Sequence, residues 1–419
     1  MGFQAPEGTH DLLPEEARRA RRLEEAARAC FERYGYEEIR TPLFEQAALY
    51  VKSSGDTSDL VQKEMFTFGD AGEEGALFAL RPELTPGVIR ALVGANLFHK
   101  RGFWKLWYLG PAFRRERPQR GRYRQFTQLG VEAVGSYDPL VDAETMVLFS
   151  DLLGAVGVKD WDLRINTMGC GVCRDGYRQV LRRAVEPDLG NYCEDCRRRF
   201  GRNVFRVLDC KRPGCVDLSG RLPGAADHVC GPCRGHLEAV RAALRDAGIP
   251  HRVDPRIVRG LDYYTRTVYE FRSSALGSQD ALCGGGRYDS LVRDLGGPDV
   301  GSVGFAAGVE RILLAMNETG ASPPPDFFAV AVSPEERPVL FRVVTALRRA
   351  GLRGDMDFGD RSLKAQMREA HRSGARCALI LGPEEARRGV VKIKDMKGGA
   401  EREVSPEGIP EILREGGRP

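Results

Sequence analysis

The sequence predicts an α+β protein in three domain-sized pieces: a strand-rich core, a cysteine-rich insertion within it, and a small α/β module at the C-terminus. Three observations carry this. Apolar strand-like runs recur between residues 36 and 135, separated by helical stretches and turns, and resume at 256–271. Eight of the eleven cysteines lie between Cys170 and Cys233. The run Thr-Gly-Ala-Ser-Pro-Pro-Pro at 319–325 reads as a linker, and β and α patterns alternate beyond it. A chain of 419 residues has room for two or three domains. Its 42% hydrophobic and 29% charged residues are ordinary for a soluble protein. No apolar run approaches the ~18 residues of a membrane span, and no basic-then-apolar leader opens the chain. Membrane, collagen, coiled-coil and disordered classes are excluded, and a cytoplasmic location is the expectation.

Taken in order, residues 14–34 predict a helix. Pro14 suits a first turn, Ala17, Leu23, Ala27, Cys30, Phe31 and Tyr34 form an apolar stripe, and Gly35 ends it. Strands are expected at 36–44, 65–68, 76–81, 103–116 and 125–135, then a polar cysteine-rich segment, strands over 256–271, a glycine turn at 284–286, and a helix from about Gly304 to Met316. After the linker, strands are expected at 327–332, 354–358, 377–381 and 390–393, and helices at 338–350, 362–373 and 409–414. That alternation predicts a mixed sheet.

The formal net charge of +4 conceals local concentration. Residues 112–125 carry six arginines against Glu116 alone, and residues 170–233 carry twelve Lys/Arg against eight Asp/Glu. A basic excess confined to loops points to a polyanionic partner. In the run 126–135, alternation puts Thr127, Leu129, Val131 and Ala133 on one face and Phe126, Gln128, Gly130 and Glu132 on the other, where a Gln and a Glu beside a glycine gap can line a polar pocket. The same parity groups Arg81, Glu83 and Thr85, and also Arg114 with Glu116. Gly304, Gly308 and Arg311, spaced as on one helix face, would offer two gaps and a cation.

These segments together resemble the class II aminoacyl-tRNA synthetases and, among them, the histidyl-tRNA synthetase family. Phe113-Arg-Arg-Glu116 followed by Arg122-Tyr-Arg-Gln-Phe126 is similar to motif 2 of the class, Gly304-Phe-Ala-Ala-Gly-Val-Glu-Arg311 to motif 3, and Arg40-Thr-Pro-Leu-Phe44 to motif 1, whose proline lies at a dimer interface. Arg259-Gly-Leu-Asp-Tyr-Tyr264 and Leu282-Cys-Gly-Gly-Gly-Arg-Tyr-Asp289 resemble the two histidine-specific signatures. Gly8-Thr-His-Asp-Leu-Leu-Pro14 and Arg361-Ser-Leu-Lys-Ala-Gln-Met367 resemble the family's start and its C-terminal domain.

The resemblance implies a class II antiparallel-sheet catalytic domain over 1–325, interrupted by the cysteine-rich insertion at 168–240, and a C-terminal α/β anticodon-binding domain over 326–419. It implies a homodimer that uses ATP with Mg²⁺, L-histidine and tRNA(His). Histidine would first be activated to histidyl-adenylate with release of pyrophosphate, then passed to the 3′ end of the tRNA. Carried over residue by residue, Arg114 and Arg259 would be the catalytic cations at the α-phosphate. Arg114, Glu116, Arg122, Phe126 and Arg311 would bind ATP, with Phe126 stacked on adenine. Glu83, Thr85 and Gln128 would hold the ammonium group, Glu132 and Tyr264 the two imidazole nitrogens, and Tyr263, Tyr288 and Arg259 would complete the histidine pocket. Arg115, Arg117 and Gln119 would meet the acceptor end of the tRNA.

Leu84, Thr127 and Cys283 depart from the commonest bacterial pattern. A paralogue, the regulatory subunit of ATP phosphoribosyltransferase, shares the fold; Arg114, Arg122, Arg259, Arg311 and the whole C-terminal module weigh against it. Within the insertion, Cys170-x2-Cys173, Cys193-x2-Cys196, Cys210-x4-Cys215 and Cys230-x2-Cys233 have the spacing of thiolate pairs for one or two structural Zn²⁺ ions, and four pairs allow three groupings. Asp209, His228 and His236 are expected at the surface, Cys30 and Cys377 in the core, and Cys283 beside the pocket.

Overall fold

The computed structural model describes residues 2–55, 58–69, 77–258, 261, 263–277, 280–316 and 324–414. Arg259 and most of the expected linker fall outside them. Internal contacts divide the chain into two units, Met1–Glu318 and Thr319–Pro419. Among the described residues, no helix is long and apolar enough to cross a membrane.

The first unit opens with helix α1 (Pro14–Arg33), which carries Glu15 and Glu16 in its first turn and buries Ala20, Leu23, Ala27, Cys30 and Phe31. Its strands in chain order are β1 (Glu37–Glu38), β2 (Phe44–Gln46), β3 (Phe66–Gly69), β4 (Leu77–Leu80), β5 (Trp104–Phe113), β6 (Gln125–Val134), β7 (Asp162–Thr167), β8 (His251–Val253), β9 (Thr265–Arg272), β10 (Ala281–Arg287) and β11 (Ser302–Gly308). Eight of them form one sheet in the order β1-β5-β6-β11-β10-β9-β7-β8. Its six central strands pair antiparallel, and only the short edge strands β1 and β8 pair parallel. A separate three-stranded sheet runs β2-β4-β3.

Helices α2 (Ala47–Ser54), α3 (Thr85–Gly94), α4 (Pro139–Ala155), α5 (Gly171–Val185), α6 (Glu194–Arg202), α7 (Pro213–Ser219), α8 (Gly231–Asp246), α9 (Leu291–Asp294) and α10 (Val309–Ala315) complete the unit. One face of the large sheet packs with α1, α4 and α8 into a core that includes Leu129, Val131, Ala133, Phe149, Phe271 and Phe305. The other face carries the polar residues of β6. The cysteine-rich insertion is helical, and its return helix α8 places Leu237, Val240 and Leu244 in the main core.

Three sequence expectations change. The stretch from Gly304 is strand, and the helix begins only at Val309. Residues 302–308 are paired on both sides, to β6 and β10; the cleft-side positions Gly304, Ala306 and Gly308 are small rather than polar, so the strand shows no polar–apolar alternation to read. Gly304 and Gly308 therefore do not share a helix face with Arg311. Gly284, Gly285 and Gly286 lie within β10 rather than in a turn, and a Cβ at Gly285 would strike the Tyr269 ring at 2.5 Å. The expected strand at 36–44 is two short pieces, and that at 256–271 begins only at Thr265.

The second unit has a five-stranded mixed sheet of β12 (Phe327–Ala331), β13 (Gly354–Met356), β14 (Cys377–Leu381), β15 (Val391–Asp395) and β16 (Glu401–Val404), ordered β13-β12-β14-β15-β16. Helices α11 (Arg337–Arg349), α12 (Leu363–Arg372), α13 (Pro383–Arg388) and α14 (Ile409–Arg414) accompany it. Gln366 on α12 explains part of the 361–367 motif. Its buried amide donates to Ala331 O at 2.9 Å and accepts from Ala331 N at 3.1 Å, which pins the helix to the sheet.

Candidate active site

The polar face of β6 opens into a cleft of about 810 Å³, within the usual range for ligand sites. Glu132 lines it and is only 1% exposed. Thr85 Oγ1, in the first turn of α3, donates to Glu132 Oε1 at 2.6 Å, and the Tyr288 hydroxyl donates to Oε2. Burial outweighs these donors and pushes the Glu132 carboxyl up to about 8. Gly304 stands opposite Glu132 in the β6–β11 register, where a Cβ would lie 1.9 Å from Oε2. Gly304→Ala is expected to dislodge this carboxyl and to cost about 1–3 kcal/mol of stability, read as a lowered melting temperature of the full chain.

Next to Glu132, Glu83 accepts from Ser54 Oγ and from the Tyr263 hydroxyl, both at 3.1 Å. Gln128 Oε1 accepts from Leu84 N at 3.1 Å, so the backbone of the departing residue Leu84 orients the glutamine. The Tyr263 ring packs 4.7 Å from Tyr264 and 5.7 Å from Tyr288, centroid to centroid. Cys283 also lines the cleft and is buried. Thr127 lies outside the lining; its backbone N–H donates to Glu310 Oε1 at 2.7 Å.

Arginines also line the cleft. The β5–β6 hairpin supplies Arg114 and Arg122, and α10 supplies Arg311. Glu116 sits between the first two, 3.7 Å from Arg114 and 3.0 Å from Arg122. Arg114 is fixed by a 2.8 Å bond to Pro82 O, with its guanidinium 5.4 Å from the Phe126 ring centroid. Arg311 donates to Gly121 O at 3.0 Å and Ala281 O at 2.6 Å. Burial and then the neighbouring Arg122 lower its pKa to about 10. A buried cation crowded by other cations is poised to gain from an incoming anion.

Thus Glu83, Thr85, Arg114, Glu116, Arg122, Phe126, Gln128, Glu132, Tyr263, Tyr264, Tyr288 and Arg311 line one cleft. Arg259 lies outside the described residues. Arg115, Arg117 and Gln119 are exposed on the hairpin loop, outside the cleft lining, and the loop is closed by reciprocal Gln119–Arg122 backbone bonds. Arg81 does not share the site with Glu83 and Thr85. β4 ends at Leu80, the alternation stops, and Arg81 instead donates to Pro111 O and Thr41 O.

His236 is buried rather than at the surface, because α8 is a core helix. It lies 3.1 Å from Asp142, which also binds Arg287. Arg287, adjacent to Tyr288, is fully buried and was legible only as one position of a quoted signature. Glu310 and Glu64 line the cleft unforeseen, and burial raises both carboxyls. The insertion forms the far wall with Arg199, Arg206, Asp209, Lys211 and Arg212. Sequence periodicity carries no signal for that placement.

The eight insertion cysteines gather into two groups, Cys170/Cys173/Cys230/Cys233 and Cys193/Cys196/Cys210/Cys215, with ligand atoms in each group within 4.8 Å of one another. The grouping is nested: outer pairs meet outer pairs. Sγ–Sγ separations of 3.6 Å (Cys170–Cys173) and 3.9 Å (Cys193–Cys210) are far too long for a disulfide. They match the ~3.8 Å edge of a tetrahedron with metal–sulfur bonds of ~2.3 Å. Backbone N–H groups of Cys170, Cys230 and Cys193 donate to Cys233, Cys173 and Cys215 sulfurs at 3.1–3.3 Å, as thiolates favour. Both groups could hold a metal ion. Among the other three cysteines, Cys30 and Cys377 are core residues.

The chain matches the family described as histidyl-tRNA synthetase over residues 8–172 and 224–312, more than half its length. The chain belongs to the histidyl-tRNA synthetase family. Residues 327–416 match the family described as anticodon binding domain. The histidine–tRNA ligase of Pelotomaculum thermopropionicum is 43% identical over 414 residues, covering 98% of this chain and 97% of that protein. The histidine–tRNA ligase of Moorella thermoacetica is 44% identical over 413 residues, covering 98% and 97%. The crystal structure of apo S. aureus histidyl-tRNA synthetase aligns with a TM-score of 0.81 at 32% identity, covering 99% of this chain and 100% of that one. The cleft residues of β6, α3, β10 and α10 fall within the family match. Residues 173–223, with the whole of the Cys193 group, fall outside it.

Proposed function

We propose that this chain is a histidine–tRNA ligase that activates histidine with ATP and transfers it to the 3′ end of tRNA(His). The observation that carries the reading is one cleft in which a buried, hydrogen-bonded carboxylate, Glu132, continues into three arginines, Arg114, Arg122 and Arg311. An imidazole and a polyphosphate need those two chemistries side by side.

In the first step, a carboxylate oxygen of histidine attacks the α-phosphorus of ATP. The new O–P bond forms as the bond to the bridging oxygen breaks, and pyrophosphate leaves. Such a reaction needs alignment and charge neutralisation more than covalent help. Arg114 holds the α-phosphate beside the attacking carboxylate, with Arg259 as the second cation there. Arg122 and Arg311 take the outer phosphates, Phe126 stacks on adenine, and Glu116 keeps Arg114 and Arg122 apart and oriented. Glu83 and Gln128 face the ammonium group. Glu132, held by Thr85 and Tyr288, accepts the ring N–H, and Tyr264 faces the other ring nitrogen. A neutral ring gripped at both nitrogens is distinguished from apolar isosteres, which would leave buried polar groups unpaired. In the second step, a terminal ribose hydroxyl of the tRNA attacks the histidyl carbonyl and AMP departs. Arg115, Arg117 and Gln119 guide the acceptor end, and the 326–419 module reads the anticodon. ATP enters as its Mg²⁺ complex, and the metal supplies charge neutralisation on the phosphates. Histidine-dependent exchange of pyrophosphate into ATP tests the first step.

Each cysteine group fits one structural Zn²⁺, in keeping with reduced thiols in the cytoplasm. The catalytic unit pairs as a homodimer. The exposed Phe44 and Phe68, with Phe78, form an aromatic cluster on the β2-β4-β3 sheet with ring centroids about 6 Å apart, flanked by exposed Leu43 and Leu77. An apolar patch of this kind is characteristic of an interface. Light scattering is expected to give twice the chain mass, and Phe44→Arg is expected to shift it toward monomer; a monomeric parent protein would refute the pairing.

A further inference from the structure

The described residues of the body's side of the cleft include three arginines against eight carboxyl groups, an unusual lining for a site that must take a polyphosphate. The insertion supplies the balance, with four cations against two acids. Two of the four, Arg199 and Arg206, are tied to Asp59 of the body at 3.3 and 2.7 Å and hold the insertion at the cleft's edge. The other two, Lys211 and Arg212, sit in the short connection between Cys210 and α7, with Cys210 and Cys215 of the Cys193 group on either side. Their ion pairs, to Asp209 at 3.9 Å and Asp195 at 3.8 Å, are long, and their side chains are 59% and 67% exposed. Pairs of this kind contribute little, so both cations can turn to a stronger anion.

We propose that Lys211 and Arg212 form a second phosphate-binding arm, which reaches across the cleft to the outer phosphates of ATP opposite Arg122 and Arg311. The arm belongs to residues 173–223, which lie outside the family match. The proposal rests on the adenylation reading above. Its physical basis is charge: a polyanion entering a carboxylate-lined cleft is attracted by cations on the facing wall. The cysteine group fixes the loop's backbone, so less conformational entropy is lost when the side chains engage.

The Lys211→Ala/Arg212→Ala double variant of the full chain tests this. Its exposed positions leave the fold intact, which an unchanged melting temperature verifies. Pyrophosphate exchange is expected to show a KM for ATP raised about tenfold, equivalent to about 1.4 kcal/mol, with KM for histidine unchanged. Calorimetric titration with a non-hydrolysable ATP analogue is expected to show the same weakening, and Lys211→Arg is expected to behave as the parent. An unaltered KM and Kd for ATP overturns the proposal, whether nothing else changes or only KM for tRNA rises; the latter result would assign the loop to RNA. If the parent protein exchanges no pyrophosphate, it is the adenylation reading that fails, and the titration still decides whether the arm binds ATP.

Discussion

Glu132→Gln is expected to lower kcat/KM for histidine on the order of a hundredfold while leaving KM for ATP near its parent value. A hydrogen bond to a buried charged group is worth about 1.5–3 kcal/mol, and Gln presents an N–H where the ring N–H must donate. The pH dependence carries the sharper signature. In the empty pocket, burial pushes the Glu132 carboxyl to about 8, against an ordinary value of 4.5. The folded protein therefore binds this proton more tightly than the unfolded chain does. Its contribution to stability is fully present below the ordinary value and is lost as pH rises through about 8. A ligand that donates its ring N–H to the carboxylate favours the ionised form, so binding between those limits releases a proton. Histidine affinity is expected to rise with pH toward about 8 in the parent protein and to lose that component in Glu132→Gln. Calorimetry in buffers of different ionisation heat measures the released proton directly; equal proton release by the two proteins would remove Glu132 from the histidine contact.

Loss of the proposed zinc is expected to have the largest structural effect. Cys196→Ser and Cys233→Ser each remove a buried cysteine from one group, and each is expected to cut the proposed zinc content of two ions per chain to about one. Structural zinc contributes about 10–16 kcal/mol to the folding of small domains, so Cys196→Ser is expected to open residues 193–215 to proteolysis. Cys233→Ser acts further, because Cys233 stands at the start of α8, whose Leu237, Val240 and Leu244 belong to the main core and whose His236 meets Asp142. It is expected to lower the melting temperature of the catalytic unit, whereas Cys196→Ser leaves that transition nearly in place. Elemental analysis of protein purified without added metal, followed by limited proteolysis, checks both. Less than about one zinc per chain in the parent protein would refute two sites.

Much of this was legible in residue patterns, for identifiable reasons. The two faces of β6 were readable because one meets core and the other a cleft, so Leu129, Val131 and Ala133 alternate with Gln128 and Glu132. β11 was not, because its cleft-side residues Gly304, Ala306 and Gly308 are small rather than polar and imitate a helix-packing stripe; Gly304 is a glycine because the Glu132 carboxylate occupies the space of its Cβ. Arg81 misled because parity reasoning continued past Leu80, where the strand stops. The cysteine pairs were visible as spacings, but their nested grouping depends on the starts of α5 and α8 coming together across the intervening helices α6 and α7, which no local pattern records. The same holds for the insertion's place over the cleft: the ion pairs from Asp59 to Arg199 and Arg206 join residues about 140 positions apart.

The measurement that tests the central claim most directly is ATP–pyrophosphate exchange by the full chain across a panel of amino acids. The account predicts exchange that requires histidine, is negligible with every apolar or isosteric competitor, and is abolished by Arg311→Ala. Folded parent protein that exchanges no pyrophosphate with histidine, or exchanges as rapidly with another amino acid, would contradict it.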